Sequence, residues 1–153
     1  KKQLVSCAVS FISLKELRVW DCERMVYLFT FSTAKSLVQL KILYIEKCKS
    51  IKEIVKKDDE SDASKEIIFG RLTKLRLKSL GRLVRFYSGD AKPCNIFSCL
   101  KEVTIAECPN MNTFFEGFVN APVFEGIKTS KKDSDLTFHH DLNSTMKMLF
   151  HQQ

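Results

Sequence analysis

The sequence predicts an α/β repeat fold: a solenoid of short parallel β-strands on its concave side, with irregular or short-helical segments on its convex side. Two observations predict it. A seven-slot apolar frame, spaced three, three, two, three, three, three, recurs along the chain. In three of its copies a cysteine stands at the same offset after the two-residue step.

The frame is clearest in Phe97, Leu100, Val103, Ile105, Cys108, Met111 and Phe114. It also runs through Phe11, Leu14, Leu17, Val19, Cys22, Met25 and Leu28, and through Leu37, Leu40, Leu43, Ile45, Cys48, Ile51 and Ile54. A further copy is Phe69, Leu72, Leu75, Leu77, Leu80, Leu83 and Phe86. A degraded copy starts at Ala121, with Phe124, Ile127 and Thr129 in its first slots. This is the spacing of a leucine-rich repeat. The two-residue step is the period of a strand with one buried face. It predicts strands near Glu16–Trp20, Ile42–Glu46 and Lys74–Lys78, and a fourth carrying Glu102, Thr104 and Ala106. Cys22, Cys48 and Cys108 are expected at the turn leaving each strand, facing inward as small hydrophobes with a weak donor. Leu80 takes that slot in the third copy, so its turn must be held differently. One unit cannot bury its own apolar face, so stability comes from stacking.

Residues 1–130 are read as the repeat domain. Residues 1–10 end a preceding unit. The first complete unit covers 11–36, with Leu28, Phe29 and Phe31 on the convex side and a short helix around 33–39. The second covers 37–68 and includes an acidic excursion at 57–66. Leu40 to Leu72 spans 32 residues, against 26 before it and 28 after, and such insertions belong in exposed loops. The third covers 69–96 and closes through the turn residues Gly89, Asp90 and Pro93. The fourth covers 97–120, where Pro109 suits the turn after the strand. A degenerate unit at 121–130 has Gly126 in a strand slot. Residues 131–153 are a charged linker and a short terminal helix, capped by Asp141, with Leu142, Met146, Leu149 and Phe150 along one side.

Composition agrees with a globular chain: 153 residues, 44% hydrophobic, five Gly and three Pro. No apolar run is long enough to span a membrane, and no signal peptide is expected. A chain that starts at Lys1 and enters a repeat at once is expected to be part of a longer protein. Cys7, Cys94 and Cys99 lie outside the repeat slot, and free thiols in a reducing compartment are the expectation. Cys94 and Cys99 lack the second pair that a zinc site needs. His139, His140 and His151 have no ligand partners in the tail. Neither a phosphate-binding loop nor a G-x-S-x-G or H-E-x-x-H motif occurs, so no catalytic, cofactor-binding or metal residue is assigned. The net charge of +7 is spread through every unit and mixed with acids.

Residues flanking the two buried strand slots should face a partner. These are Glu16, Arg18 and Trp20; Ile42, Tyr44 and Glu46; Lys74, Arg76 and Lys78; Glu102, Thr104 and Ala106; Gly126, Lys128 and Ser130. Parallel strands lie roughly 4.8 Å apart, so Arg18, Tyr44 and Arg76 should form one row, with Trp20, Glu46 and Lys78 beside it. Exposed Trp and Tyr next to Arg is the composition of an interface hot spot. These six are the candidate protein-contact surface.

Three segments carry a more specific likeness: FISLKELRVWDCERMVYLF, SLVQLKILYIEKCKSIKEIV and FSCLKEVTIAECPNMNTFFEG. The last holds Cys108, Pro109, Met111, Thr113, Phe114, Glu116 and Gly117, and NAPVFEGIKTS follows it. Over roughly residues 3–130 the chain resembles the C-terminal leucine-rich repeats of plant intracellular disease-resistance proteins of the coiled-coil nucleotide-binding class. The resemblance implies a cytoplasmic, non-catalytic module that senses a pathogen effector or a guarded host protein. It also implies contact with an intramolecular nucleotide-binding domain, where ADP or ATP would bind upstream of this segment. The L-x-G-x-I-P phrase of plant extracellular receptor repeats is missing. A substrate-binding repeat of a ubiquitin-ligase adaptor is the rival function. A nucleic-acid surface at Lys74, Arg76 and Lys78 is less favoured, because Glu16, Glu46 and Glu102 interrupt it. An uncapped N-terminal end at Leu4, Val5, Phe11 and Leu14 should make the chain marginal or self-associating. Light scattering should therefore give a mass above that of the monomer, and a monomeric mass with a sharp, reversible melt would contradict this.

Overall fold

The computed structural model describes residues 12–57, 69–87 and 97–111, and the backbone of Ile127–Lys128. In chain order the elements are β1 (Glu16–Trp20), β2 (Tyr27–Thr30), α1 (Phe31–Ser36), β3 (Ile42–Glu46), β4 (Glu53–Lys56), β5 (Lys74–Lys78), β6 (Arg85–Tyr87), β7 (Glu102–Ala106) and β8 (Ile127–Lys128). They form two parallel sheets, one ordered β1-β3-β5-β7-β8 and the other β2-β4-β6. Parallel sheets with little helix make an α/β repeat fold.

The larger sheet keeps one register throughout. Leu17 pairs with Leu43, Leu43 with Leu75, Leu75 with Val103, and Val103 with Ile127. Val19, Ile45, Leu77 and Ile105 make a second row. Leu43, Ile45, Leu77 and Val103 are completely buried, whereas Leu17 is only half-buried on edge strand β1. Each repeat therefore completes its neighbour's core. Fully burying a Leu or Ile side chain contributes about 1.5–3 kcal/mol.

Backbone hydrogen bonds hold the coils together beyond the strands. The Lys15 carbonyl accepts from the amides of Lys41 and Ile42 at 2.8 and 3.2 Å. The Lys41 carbonyl accepts from Thr73 and Lys74, and the Thr73 carbonyl from Lys101 and Glu102. Past the strand, the Asp21 amide donates to the Glu46 carbonyl, Lys47 to Lys78 and Ser79 to Ala106, at 2.9–3.2 Å. These three donors share an unusual conformation with Glu107, the residue after β7. Asp21, Lys47, Ser79 and Glu107 have φ of 56, 54, 55 and 54°, and none is glycine. The left-handed region costs an L-residue roughly 1–2 kcal/mol, yet it bends the chain while keeping the amide on the next coil.

The second sheet corrects the expected irregular or short-helical convex side. Tyr27, Glu53 and Arg85 pair in sequence, as do Phe29, Val55 and Tyr87. The last frame slot is followed at once by another apolar residue: Leu28-Phe29, Ile54-Val55 and Phe86-Tyr87, all buried. Successive strand residues point to opposite faces, so these segments are covered on both sides. Phe29 meets Phe69 at 6.2 Å between ring centroids and Phe31 meets Tyr87 at 5.3 Å, while Phe86 packs edge-on to both Phe69 and Phe97.

Helix α1 starts two residues before the expected 33–39 and stops earlier. The Thr30 hydroxyl accepts from the Thr33 amide at 3.3 Å and caps the helix. Leu37 ends it because its side chain is needed in the core, 1% exposed, as the first slot of the next frame. The readings for residues 1–11, for 58–66 of the acidic excursion, for the turn-rich connection at 88–96, for 112–126 and for 129–153 lie outside the described residues.

Leu43→Ala should lower the unfolding free energy by about 2–5 kcal/mol, the range for emptying a core Leu site. Lys47→Gly should leave stability unchanged or raise it by up to about 1 kcal/mol, and Lys47→Val should lower it by about 1–2 kcal/mol. Urea midpoints measure all three.

Candidate protein-contact face

The register places every outward residue of the larger sheet in a column. Glu16, Ile42, Lys74 and Glu102 form the first, and Arg18, Tyr44, Arg76 and Thr104 the second. Trp20, Glu46, Lys78 and Ala106 form the third. Lys128 continues the second at the level of its backbone. All six candidate residues thus stand on adjoining positions of three neighbouring strands. Ala106 departs from expectation: it is buried, 5% exposed, and offers no surface.

Tyr44 is the centre. Its neighbours on both strands are arginines, and both guanidinium groups lie over its ring, Arg18 at 4.7 Å and Arg76 at 4.4 Å from the centroid. Cation–π contacts at exposed sites are worth about 0.5–1 kcal/mol each, and the planar guanidinium is suited to stacking. Glu16 holds Arg18 from two positions back, its Oε1 accepting from Nε at 2.8 Å and Nη2 at 2.6 Å. Glu46 holds Arg76 more loosely, at 3.4 Å, and Lys74 pairs with Glu102 at 3.9 Å. These side chains are partly exposed, so the pairs set geometry more than stability. Trp20 is 61% exposed. Arg18, Val19, Trp20, Tyr44, Glu46 and Arg76 line a concavity of about 210 Å³. Residues i and i+2 share a strand face, so Glu16 beside Arg18 was the available sign of the carboxylate partner that the six-residue set omits.

A family model for plant disease resistance protein RPS2-like leucine-rich repeats matches residues 1–123. The chain belongs to this family. No curated protein and no solved structure matches it. Repeats of this resistance-protein family are generally non-catalytic modules that bind other proteins. Among the described residues, no helix is long and apolar enough to cross a membrane, and no group of three or more His, Cys, Asp or Glu is placed to hold a metal ion.

The turn slots of this resistance-protein repeat region are filled as follows. Cys48 and Cys108 are buried, Cys22 is half-buried on the edge coil, and all three are free thiols. Each thiol donates to the carbonyl two residues back: Cys22 to Trp20, Cys48 to Glu46 and Cys108 to Ala106. The Leu80 side chain has no donor, and on the next coil the single S–H of Cys108 lies between the Ala106 carbonyl at 3.3 Å and the Leu77 carbonyl at 3.5 Å. Leu80 itself is fully buried, and its carbonyl accepts from the Leu83 amide. Burial pushes the Cys48 thiol up and the Cys108 thiol up to about 11. Burial of Cys48 and Cys108 thus disfavours the thiolate, which is the nucleophilic form.

A folded pKa raised above the unfolded one gives stability that is present below the ordinary thiol range and lost as pH rises through the folded value. Between pH 9 and 11 the chain should thus lose about 2–3 kcal/mol through Cys108. Cys108→Ala should show a shallower decline than the parent over that window in urea unfolding at stepped pH.

Proposed function

We propose that the chain is the protein-recognition and autoregulatory solenoid of a plant immune receptor of the coiled-coil nucleotide-binding class. It senses a pathogen effector or a guarded host protein through the Arg18, Trp20, Tyr44, Glu46, Arg76 and Lys78 face. It also contacts the receptor's own nucleotide-binding domain, and it works in the cytoplasm. In this reading the units are those set out above, at 11–36, 37–68, 69–96, 97–120 and 121–130.

The observation that carries the reading is the stack of Arg18, Tyr44 and Arg76 beside exposed Trp20. Residues that served only the fold would have no need for an aromatic ring flanked by two guanidiniums on the solvent side of a sheet. Hot spots are rich in Trp, Tyr and Arg because these give large contact area with directed donors. The free, buried thiols suit a reducing compartment. Replacing Arg18, Trp20, Tyr44 and Arg76 together by Ala should abolish co-purification of the receptor's partner while the melting curve stays in place. Full retention of the partner by the folded quadruple variant rejects the reading.

A further inference from the structure

We propose that the partner segment taken by this face is acidic: an extended stretch whose carboxylates engage Arg18 and Arg76 on either side of Tyr44, with an adjoining apolar side chain on Trp20. The proposal rests on the reading of this face as a protein-contact surface and adds the chemistry of what it contacts.

Three observations carry it. First, the two guanidiniums are oriented before any ligand arrives. Both lie over the Tyr44 ring, and Arg18 uses two of its donors on one oxygen of Glu16. A guanidinium has five N–H donors. Arg76 meets Glu46 through one nitrogen only, at 3.4 Å. Both groups keep donors for an incoming carboxylate, and charge-assisted pairs with a planar fork are the stronger kind.

Second, the edge of the sheet from which the strands start is positive. The bends that open the strands stack on one another through the Lys15, Lys41 and Thr73 carbonyls. They place exposed Lys15, Lys41 and Lys101 along the edge of the sheet from which the strands start. Among the described residues these three lysines and Lys78 make no ion pair. A row of like charges one or two coils apart repels itself, and an acidic partner relieves that repulsion while speeding encounter.

Third, the face is not built for a continuous polyanion. Glu16, Glu46 and Glu102 interleave with the basic residues. A phosphate backbone would have to pass over them, whereas separate carboxylates can settle between them. Trp20 and the concavity of about 210 Å³ beside it offer room for one large apolar side chain.

The test is selection of random twelve-residue peptides by display on the full 153-residue chain, with the winners synthesised and titrated by fluorescence anisotropy. Selected peptides should be rich in Asp and Glu next to an aromatic or large aliphatic residue. Arg18→Gln and Arg76→Gln should each weaken them by roughly tenfold, and added salt should weaken them further. Neutral or basic winners that depend on Trp20 but ignore both arginines would overturn the acidic partner and leave the contact surface standing. Winners indifferent to Arg18, Trp20, Tyr44 and Arg76 would overturn both. Tighter binding of a single-stranded RNA homopolymer than of any winner, at matched salt, would overturn the proposal in favour of nucleic acid.

Discussion

Each described coil must meet its neighbour in register, because the carbonyls that open its strands take their amides from the following coil. The carbonyl of Lys15, Lys41 or Thr73 each takes two amides from the following coil. The residue after β1, β3 or β5 enters the left-handed region, and its amide donates to a carbonyl of the following coil. A slip of one residue would reverse every side chain of the strand and expose the Leu17, Leu43, Leu75 and Val103 row. Backbone satisfaction and apolar burial therefore select the same register. The strain at Asp21, Lys47, Ser79 and Glu107 is tolerated because both would be lost without it.

The outward face inherits its order from that constraint. Arg18, Tyr44 and Arg76 share a row because they share a frame position, not because they attract one another strongly. Their mutual contacts are each weak in water. What makes the cluster useful is that the sheet has already fixed the backbones, so little freedom remains to be lost when a partner binds. The same economy appears at the turns, where Cys108 serves its own coil and also reaches the coil of Leu80.

Much of this was legible from periodicity. The two-residue step fits only a strand buried on one side, so β1, β3 and β5 fall on the expected residues and β7 carries the expected Glu102, Thr104 and Ala106. The second sheet was not legible, because Leu28-Phe29, Ile54-Val55 and Phe86-Tyr87 are adjacent apolar pairs without alternation. Such pairs suit a doubly covered strand, a helix turn or a loop equally well. The onset of α1 depended on Thr30 serving as cap, and one threonine among Thr30, Ser32 and Thr33 is a weak signal. Ala106 was assigned to the surface by its position, but a methyl side chain in the column beside larger neighbours is easily covered.

The sequence by itself determined the repeat, the strand positions of the larger sheet, its two inward rows and the row of Arg18, Tyr44 and Arg76. A fixed period converts directly into a fixed position on a stacked coil. Only the tertiary structure decided the return strands, the left-handed bends, the sharing of the Cys108 thiol and the guanidinium contacts on Tyr44. These depend on distances between residues some thirty positions apart along the chain, which exist only once one coil lies on the next.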